Sequence, residues 1–435
     1  MKQNVRALAA QILTEVIGQK KSLPQVVSEH IPEDYAQRPL LFELCYGSLR
    51  WYYLLRALAN ELLLKPLPKK HQDIYYLLLI GLHQLLNMNI PQYAIVSETV
   101  QAAVSLGQPW AKGLINKNLR RFLEEKDALL AKVDKNEEAK YVHPQWLIGK
   151  IKKAWPDQWQ DILLANNLRA PLTLRANLLK NTRDEYLAYL KKHEIEAHAV
   201  ADCEFALNLD KPMPIENIPG FAEGLASVQD AAGQFAAKLL NLKPNLRVLD
   251  ACAAPGTKST HILELEPKLA HLTAVEKDPE RLMMIKQNFE RLNLARDHFN
   301  LILADVAHTQ QWWSGEKFDR ILVDAPCSGS GVIRRHPDMK VLREPEDSKN
   351  HHQIQVHLLN HLWPLLEKKG LLLYSTCSIF PEENEKTIQE FLQKNADAKV
   401  QKCELPLGLA QQYGWQLLPQ ENGSDGFYYC LIGKL

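Results

Sequence analysis

The sequence predicts a multidomain chain. An all-α domain comes first, a small α/β domain lies in the middle, and a C-terminal α/β domain carries a mostly parallel, Rossmann-like sheet ending in a hairpin. Three features point to it. At 435 residues the chain is longer than one ordinary core organises, so two or three domains are expected. The first third places its apolar residues at helical spacing. From about residue 230, short apolar runs alternate with helical stretches, the rhythm of strands covered on both faces by helices. The boundaries read as 1–140, 141–229 and 230–435.

Composition narrows the class. A hydrophobic content of 46% with 24% charged residues is that of a soluble globular protein. The seven cysteines (45, 203, 252, 327, 377, 403 and 430) are odd in number, scattered and without a CxxC pair. That argues against a disulfide framework or a metal cage and suits a reducing, cytoplasmic setting. Residues 1–21 carry helically spaced apolar positions, not a signal-peptide core. The most apolar stretch, "IYYLLLIGLHQLL", is interrupted by Gly81 and His83 and is too short to span a bilayer. Residues 1–140 hold 18 Lys/Arg against 14 Asp/Glu, while 241–435 hold 23 against 25. A basic first third fits a polyanionic partner and equally fits an ordinary solvated surface.

In chain order, Val5, Leu8, Ala9, Ile12, Leu13 and Val16 mark the apolar face of a first helix. "PLLFELCYGSLRWYYLLRALANELLL", "HQDIYYLLLIGLHQLL", "AIVSETVQAAVSL" and "GLINKNLRRFLEE" follow, punctuated by Pro66, Pro68 and Pro91. Trp51, Tyr52 and Tyr53 read as core. The charged "EEKDALLAKVDKNEEAK" reads as the last helix fraying into a linker. In the middle part, "PLTLRANLL" and "FALNLD" are strand candidates, "TRDEYLAYLKKHEI" is an amphipathic helix and "KPMPIENIPGF" a loop. Then "LRVLDA", "HLTAVEKD", "NLILAD", "DRILVDAP" and "LLLYST" supply strands. The helix "IQVHLLNHLWPLLEKKG" is expected to close at Gly370, and the hairpin turns through "NGSDG".

Ligands of doubly wound sheets sit at the C-terminal ends of the strands. "DACAAPGTKST" (Asp250 to Thr260) follows the first strand. Its small Pro-Gly turn leads into a helix N-terminus, but lacks the spacing of a dinucleotide or triphosphate loop. Glu276, Asp305 and Asp324 end the next three strands. Each alone could be a helix cap. Together, behind a glycine turn, they describe an adenosyl pocket with little basic charge, which favours S-adenosylmethionine. Glu276 is placed to accept from a ribose diol, and Asp305 from an adenine amino group.

Cys327 in "DAPCSGSG" and Cys377 in "YSTCS" follow adjacent strand segments. Two thiols are too few ligands for a metal, a cytosolic disulfide is disfavoured, and simple packing stays open. One chemistry uses two thiols and a carboxylate beside a methyl donor. A thiolate adding to carbon 6 of a pyrimidine makes carbon 5 nucleophilic enough to accept a methyl group. The target base must first leave its stack.

"DACAAPGTKS", "LVDAPCSGSGVIRRHPD" and "YSTCSIFPEENE" together resemble the Sun/Fmu-type RNA cytosine-5 methyltransferases, and the resemblance extends over essentially the whole chain. It implies a NusB-like RNA-binding helical domain, a class I methyltransferase fold and S-adenosylmethionine as cofactor. It further implies Cys377 as nucleophile, Cys327 as the thiol that helps release product, and Asp324 at the cytosine and the donor. Cys252, Ala253, Ala254, Pro255, Gly256, Thr257 and Lys258, with Glu276, Asp305 and Asp324, would hold the donor, and Lys258 would also lie near the base. Thr257 replaces a second glycine found in many relatives, which would narrow the turn's freedom. The implied partner is 16S ribosomal RNA, met by a monomer without metal or membrane.

Arg334 and Arg335, just after the Cys327 turn, and Lys117, Arg120 and Arg121, on one helix face, are candidate phosphate contacts. Ordinary solvated charge is the competing reading of each group. Two other functions remain compatible: a transfer RNA or DNA cytosine methyltransferase, and a non-catalytic RNA-binding assembly factor on the same fold.

Overall fold

The computed structural model describes residues 4–32, 34–294, 298–421 and 423–435. The chain divides into two compact units, Met1–Arg169 with Ile333–Pro345, and Ala170–Val332 with Glu346–Leu435.

The first unit is helical. Its elements are α1 (Val5–Gln19), α2 (Leu23–His30), α3 (Arg38–Arg50), α4 (Tyr52–Leu62), α5 (Gln72–Asn87), α6 (Gln92–Ser105), α7 (Ala111–Val133), α8 (Glu137–Tyr141), α9 (Gln145–Ala154) and α10 (Trp159–Asn167). Asn4 starts α1 by accepting from the amides of Arg6 and Ala7, and Ser22 does the same for α2. Such caps are each worth about 1 kcal/mol. The apolar run of α5 is buried on nearly every side, as expected of a central helix. Tyr53 is buried, and Trp51 and Tyr52 pack against the same core. No frayed linker follows residue 124. Leu129, Val133 and Ala139 are buried in the helical core, so apolar anchoring carries α7 and α8 through the charged stretch. Helices α9 and α10 pack with the helical unit, which extends past the expected boundary at 140 to Arg169, and Leu147, Ile148, Ile151, Ile162 and Leu163 on them are buried.

The second unit holds two sheets. In the middle region, β1 (Leu172–Ala176), α11 (Arg183–Lys192), β2 (Ala197–Ala199), β3 (Ala206–Leu209) and β4 (Ala226–Val228) form an antiparallel sheet ordered β2-β3-β1-β4. A capping box of Thr182 and Glu185 opens α11. Then come α12 (Ala231–Leu239), β5 (Arg247–Asp250), α13 (Thr257–Leu265), β6 (His271–Glu276), α14 (Pro279–Leu292), β7 (Phe299–Leu303) and β8 (Phe318–Asp324). The single turn α15 (Met339–Leu342) belongs to the helical unit. The chain ends with α16 (Asp347–Leu362), β9 (Leu366–Thr376), α17 (Glu385–Lys394), β10 (Ala398–Val400), β11 (Leu409–Ala410), β12 (Trp415–Leu417) and β13 (Phe427–Lys434).

The larger sheet runs β11-β12-β13-β9-β8-β5-β6-β7, with β10 also on β13. Pairings from β7 to β9 are parallel, and β13 adds antiparallel to β9 and β12. The terminal hairpin is therefore present. Gly370 does not close the preceding helix. Helix α16 ends at Leu362, Pro364 sits in a short 3-10 turn, and Gly370 lies inside β9. There the register against β8 jumps between Phe318–Leu366 and Arg320–Leu371, with Lys369 at φ 62°. The lysines and the glycine thus form a bulge, not a helix end.

The middle sheet keeps a small core of its own around Leu174, Tyr186, Leu190 and Leu207, yet it does not stand apart. Arg175 of β1 is fully buried and reaches α13. It donates to both carboxylate oxygens of Glu264 at 3.0 and 2.7 Å, to Thr260 Oγ1 at 3.1 Å and to the Thr257 carbonyl at 2.8 Å. It also donates to Gln229. Removing one partner of such a pair strands a buried charge, at about 3–5 kcal/mol. Arg175→Met should therefore lower the urea unfolding midpoint markedly, and Arg175→Met with Glu264→Leu should recover most of the loss. Additive losses in the two single variants and the double would refute the pairing as the cause.

Candidate active site

The order of the parallel strands reverses at β5, which lies between β6 and β8, so the crevice outside the C-terminal ends of β5, β6 and β8 is the expected ligand site. The turn after β5 is built for close approach. Gly256 has φ 94°, and a Cβ there would meet Ile285 at 3.0–3.1 Å. Thr257 is already the first residue of α13, and its φ is not positive. The freedom expected of a second glycine is therefore not needed at 257. The turn is tied down from outside: the Ala254 amide donates to Glu276 Oε2 at 3.3 Å, Arg281 donates to the Ala254 carbonyl and Asn288 to the Pro255 carbonyl. The other Glu276 oxygen accepts from the amides of Lys277 and Asp278.

Those residues fit S-adenosylmethionine. The glycine cradle gives backbone access, Glu276 is buried at the end of β6, and Asp305 is exposed at the end of β7, with Oδ1 capping Ala307. Asp250 supplies a buried carboxylate oxygen, Oδ1, without a hydrogen-bond partner. Its other oxygen accepts from Ser259 at 2.6 Å. Burial, with Asp324 nearby, pushes the Asp250 carboxyl up to about 7 despite the Ser259 bond. Burial likewise pushes the Cys252 thiol up, so this third thiol is a poor nucleophile.

On the other side, Asp324 and Ser375 sit opposite each other in the β8–β9 register, so the next few residues emerge together. Cys327 and Cys377 Sγ are 3.2 Å apart. The Cys377 contact, then burial, raises the Cys327 pKa well above that of an ordinary thiol, which keeps it protonated. Asp324 accepts from Lys258 Nζ at 2.5 Å and from Ser375 Oγ at 2.8 Å. Burial opposes the charge on Lys258, but Asp324, Cys377 and Asp250 outweigh it and raise its pKa. The ammonium therefore persists through neutral pH, 5.4 Å from the Phe427 ring centroid.

The two thiol loops are joined. The Gly331 amide donates to the Cys377 carbonyl at 2.9 Å, and a Cβ at Gly331 would strike the Gly426 carbonyl at 2.2 Å. Ser330 Oγ accepts from the Ile379 amide. Beneath them lies Glu383, fully buried. It was not singled out from the sequence, where "PEENE" reads only as an acidic helix start. Asp250, which the sequence places only at the start of the turn stretch, and Arg175 are two further groups of this kind. An acid in an otherwise apolar strand end was the available signal for Asp250, and an arginine in "PLTLRANLL" the signal for Arg175.

Of the expected RNA contacts, all of which lie in the helical unit, one needs correction. Arg334 is fully buried and not displayed on an open loop. Ile333–Pro345 folds into the helical unit, where Arg50 donates to the Arg334 carbonyl at 2.9 Å and Tyr53 to the Lys340 carbonyl at 3.0 Å. Arg335 is half-buried. On α7, Lys117 and Arg120 are exposed, whereas Arg121 is paired with Glu125 and donates to the Glu61 carbonyl.

A pH test follows from Asp250. Its folded pKa of about 7 exceeds the ordinary value, so the folded state holds a proton that the unfolded chain releases. Its contribution to stability is then lost as pH rises from about 4 towards 7. Asp250→Asn removes that dependence. Its melting temperature relative to wild type should climb across this interval and level off above pH 7. Parallel pH curves would show that Asp250 does not titrate there.

Comparison with known proteins agrees with this geometry. Residues 237–433 match the 16S rRNA methyltransferase RsmB/F family, residues 143–216 the ferredoxin-like domain of RsmF/B-like methyltransferases, and residues 3–124 the NusB family. The chain is 50% identical over 431 residues, 99% of both chains, to the probable ribosomal RNA small subunit methyltransferase B of Coxiella burnetii. It is 43% identical to the ribosomal RNA small subunit methyltransferase B of Pseudomonas syringae, over 99% of this chain and 97% of that one. The crystal structure of PH0851 superposes with a TM-score of 0.80 at 25% identity, covering 99% of this chain and 98% of the other. With half its residues shared along its whole length, the chain belongs to the RsmB/F family of Sun/Fmu-type methyltransferases, and its methyl donor is S-adenosylmethionine.

Proposed function

We propose that the chain methylates carbon 5 of a specific cytosine in 16S ribosomal RNA, through a covalent bond between Cys377 and carbon 6 of the base. The observation that carries this reading is the pair of thiols 3.2 Å apart beside the Lys258–Asp324 pair. When bound, S-adenosylmethionine supplies an electrophilic sulfonium methyl.

The chain's own residues do the rest. Cys377 is taken as the attacker, the role that the resemblance to Sun/Fmu-type methyltransferases implies for it, and the attacking species is the thiolate. Its addition opens the 5,6 double bond and directs electron density to carbon 5. Lys258 and Asp324 present a donor and an acceptor side by side to the polar edge of the base. After transfer, carbon 5 must lose its proton so that the carbon–sulfur bond can break and the double bond re-form. The Cys327 thiol, 3.2 Å from Cys377 Sγ, gives its proton to the departing Cys377 sulfur, and the thiolate so formed, a strong base because of its raised pKa, takes the proton of carbon 5. The relatives named for ribosomal RNA support the substrate class. Lys117 and Arg120, exposed on α7, would meet phosphates, Arg335 would add a weaker contact, and Arg121 is already engaged. The seven free thiols agree with action in the reducing cytoplasm.

The full chain should be incubated with labelled S-adenosylmethionine and, separately, 16S, 23S and transfer RNA, followed by mass spectrometry of the nucleosides. 5-Methylcytosine confined to 16S RNA is expected; label in transfer RNA alone would overturn the substrate. Cys377→Ala should lower transfer by several orders of magnitude with donor affinity unchanged. Cys327→Ala should accumulate a protein–RNA adduct stable to denaturing electrophoresis. Appreciable turnover by Cys377→Ala, or no adduct with Cys327→Ala, would remove the corresponding role.

A further inference from the structure

The buried carboxyl group beneath the thiols has no part in the chemistry just described. Glu383 lies in the turn between β9 and α17, with its side chain excluded from solvent. Oε2 accepts from the Ser328 amide at 2.7 Å and from Gln355 Nε2 at 3.3 Å. Oε1 accepts from Ser328 Oγ at 2.5 Å and from Ser378 Oγ at 2.7 Å. Four donors therefore converge on a side chain with about four lone-pair positions. The placement is specific: Ser328 follows Cys327 and Ser378 follows Cys377, so a single carboxyl group grips the residue after each thiol.

Every attachment of this group is itself held. Gln355 of α16 also donates to the Pro326 carbonyl at 3.0 Å, bracing the strand exit just before Cys327. Tyr374 donates to the Glu383 carbonyl at 2.6 Å. The Ser378 hydroxyl also accepts from the Phe380 amide, which leaves its single proton for Glu383. The neighbouring Asn384 donates to the Ser378 carbonyl at 3.0 Å and accepts from Thr376 at 2.6 Å. In a water-excluded setting, such charge-assisted bonds are stronger than neutral ones.

We propose that Glu383 is the positioning residue for both thiols: by holding Ser328 and Ser378 it sets the sulfur–sulfur separation of Cys327 and Cys377. This rests on the two-thiol reading above. Its consequence is that addition and release share one geometric control. Glutamine is the same shape but replaces two acceptor positions by N–H groups that face donors, so it should let the loops part without enlarging any cavity.

The experiment uses the full chain and phenylarsine oxide, which bridges two adjacent thiols with loss of one water. Wild-type protein should bind it across Cys327 and Cys377, identified by peptide mapping. Glu383→Gln should bind it about tenfold more weakly and transfer methyl groups about 100-fold more slowly in a single turnover, with donor affinity unchanged. A merely destabilising role would lower the melting temperature without separating kcat from donor affinity. Wild-type arsenical bridging in a Glu383→Gln protein that still binds donor overturns the proposal. If that variant no longer binds donor, Ser328→Ala, which deletes one hydroxyl, decides it: weakened bridging supports the clamp, and unchanged bridging sinks it. Absence of 5-methylcytosine from wild-type reactions would reject the two-thiol chemistry, but leaves the arsenical measurement readable on its own.

Discussion

The buried ion pair of Arg175 and Glu264 is the constraint on which the donor side of the site depends. A fully desolvated guanidinium is tolerable only when its donors are satisfied, and here five bonds do so. Three of those partners, Thr257, Thr260 and Glu264, lie on α13, the helix that begins at the donor turn. The first strand of the middle sheet thus fixes the helix that follows the glycine turn after β5. This explains why residues 170–332 and 346–435 make one compact unit, although the middle sheet has its own apolar core.

A division of labour among polar groups follows. Arg175 holds the helix after the glycine turn, while the buried Glu276 holds the turn itself from one side and the exposed Arg281 from the other. Lys258 and Asp324 neutralise each other beside the end of β8. The charges of Arg175 and Glu276, and of the largely enclosed Lys258 and Asp324, are costly to bury alone, and each is compensated by a partner from a different element. Pairing across elements converts the cost of burial into a geometric specification, because the partner is available only when both elements are in place.

Segment Ile333–Pro345 shows the same logic in the helical unit. Lys340 is buried and donates to the Arg50 carbonyl at 2.9 Å and to Asn167 at 2.5 Å. Burial, reinforced by Arg50, drives its pKa well below that of an ordinary lysine. Asp338 accepts from the Leu23 amide at 3.0 Å. The cations of "IRRHPDMK" therefore include structural ones. A run of basic residues beside a catalytic motif invites a phosphate-binding reading, but whether a cation faces water or a carbonyl is decided by packing.

Much of the fold was legible in the sequence because periodicity is a local property. The helical first third, the alternating strands and helices, and the terminal hairpin all follow from residue spacing. So did the nearness of Cys327 and Cys377 and of Asp324 and Ser375, since residues that end the neighbouring parallel strands β8 and β9 emerge at one edge of the sheet. Tertiary structure alone decided the rest. It put Arg334 inside, turned "KKG" into a strand bulge, carried the last helices past residue 140, and aimed Glu383 and Arg175 at groups tens of residues away. Those outcomes depend on which buried donor meets which buried acceptor, and that pairing exists only after distant segments have been brought together.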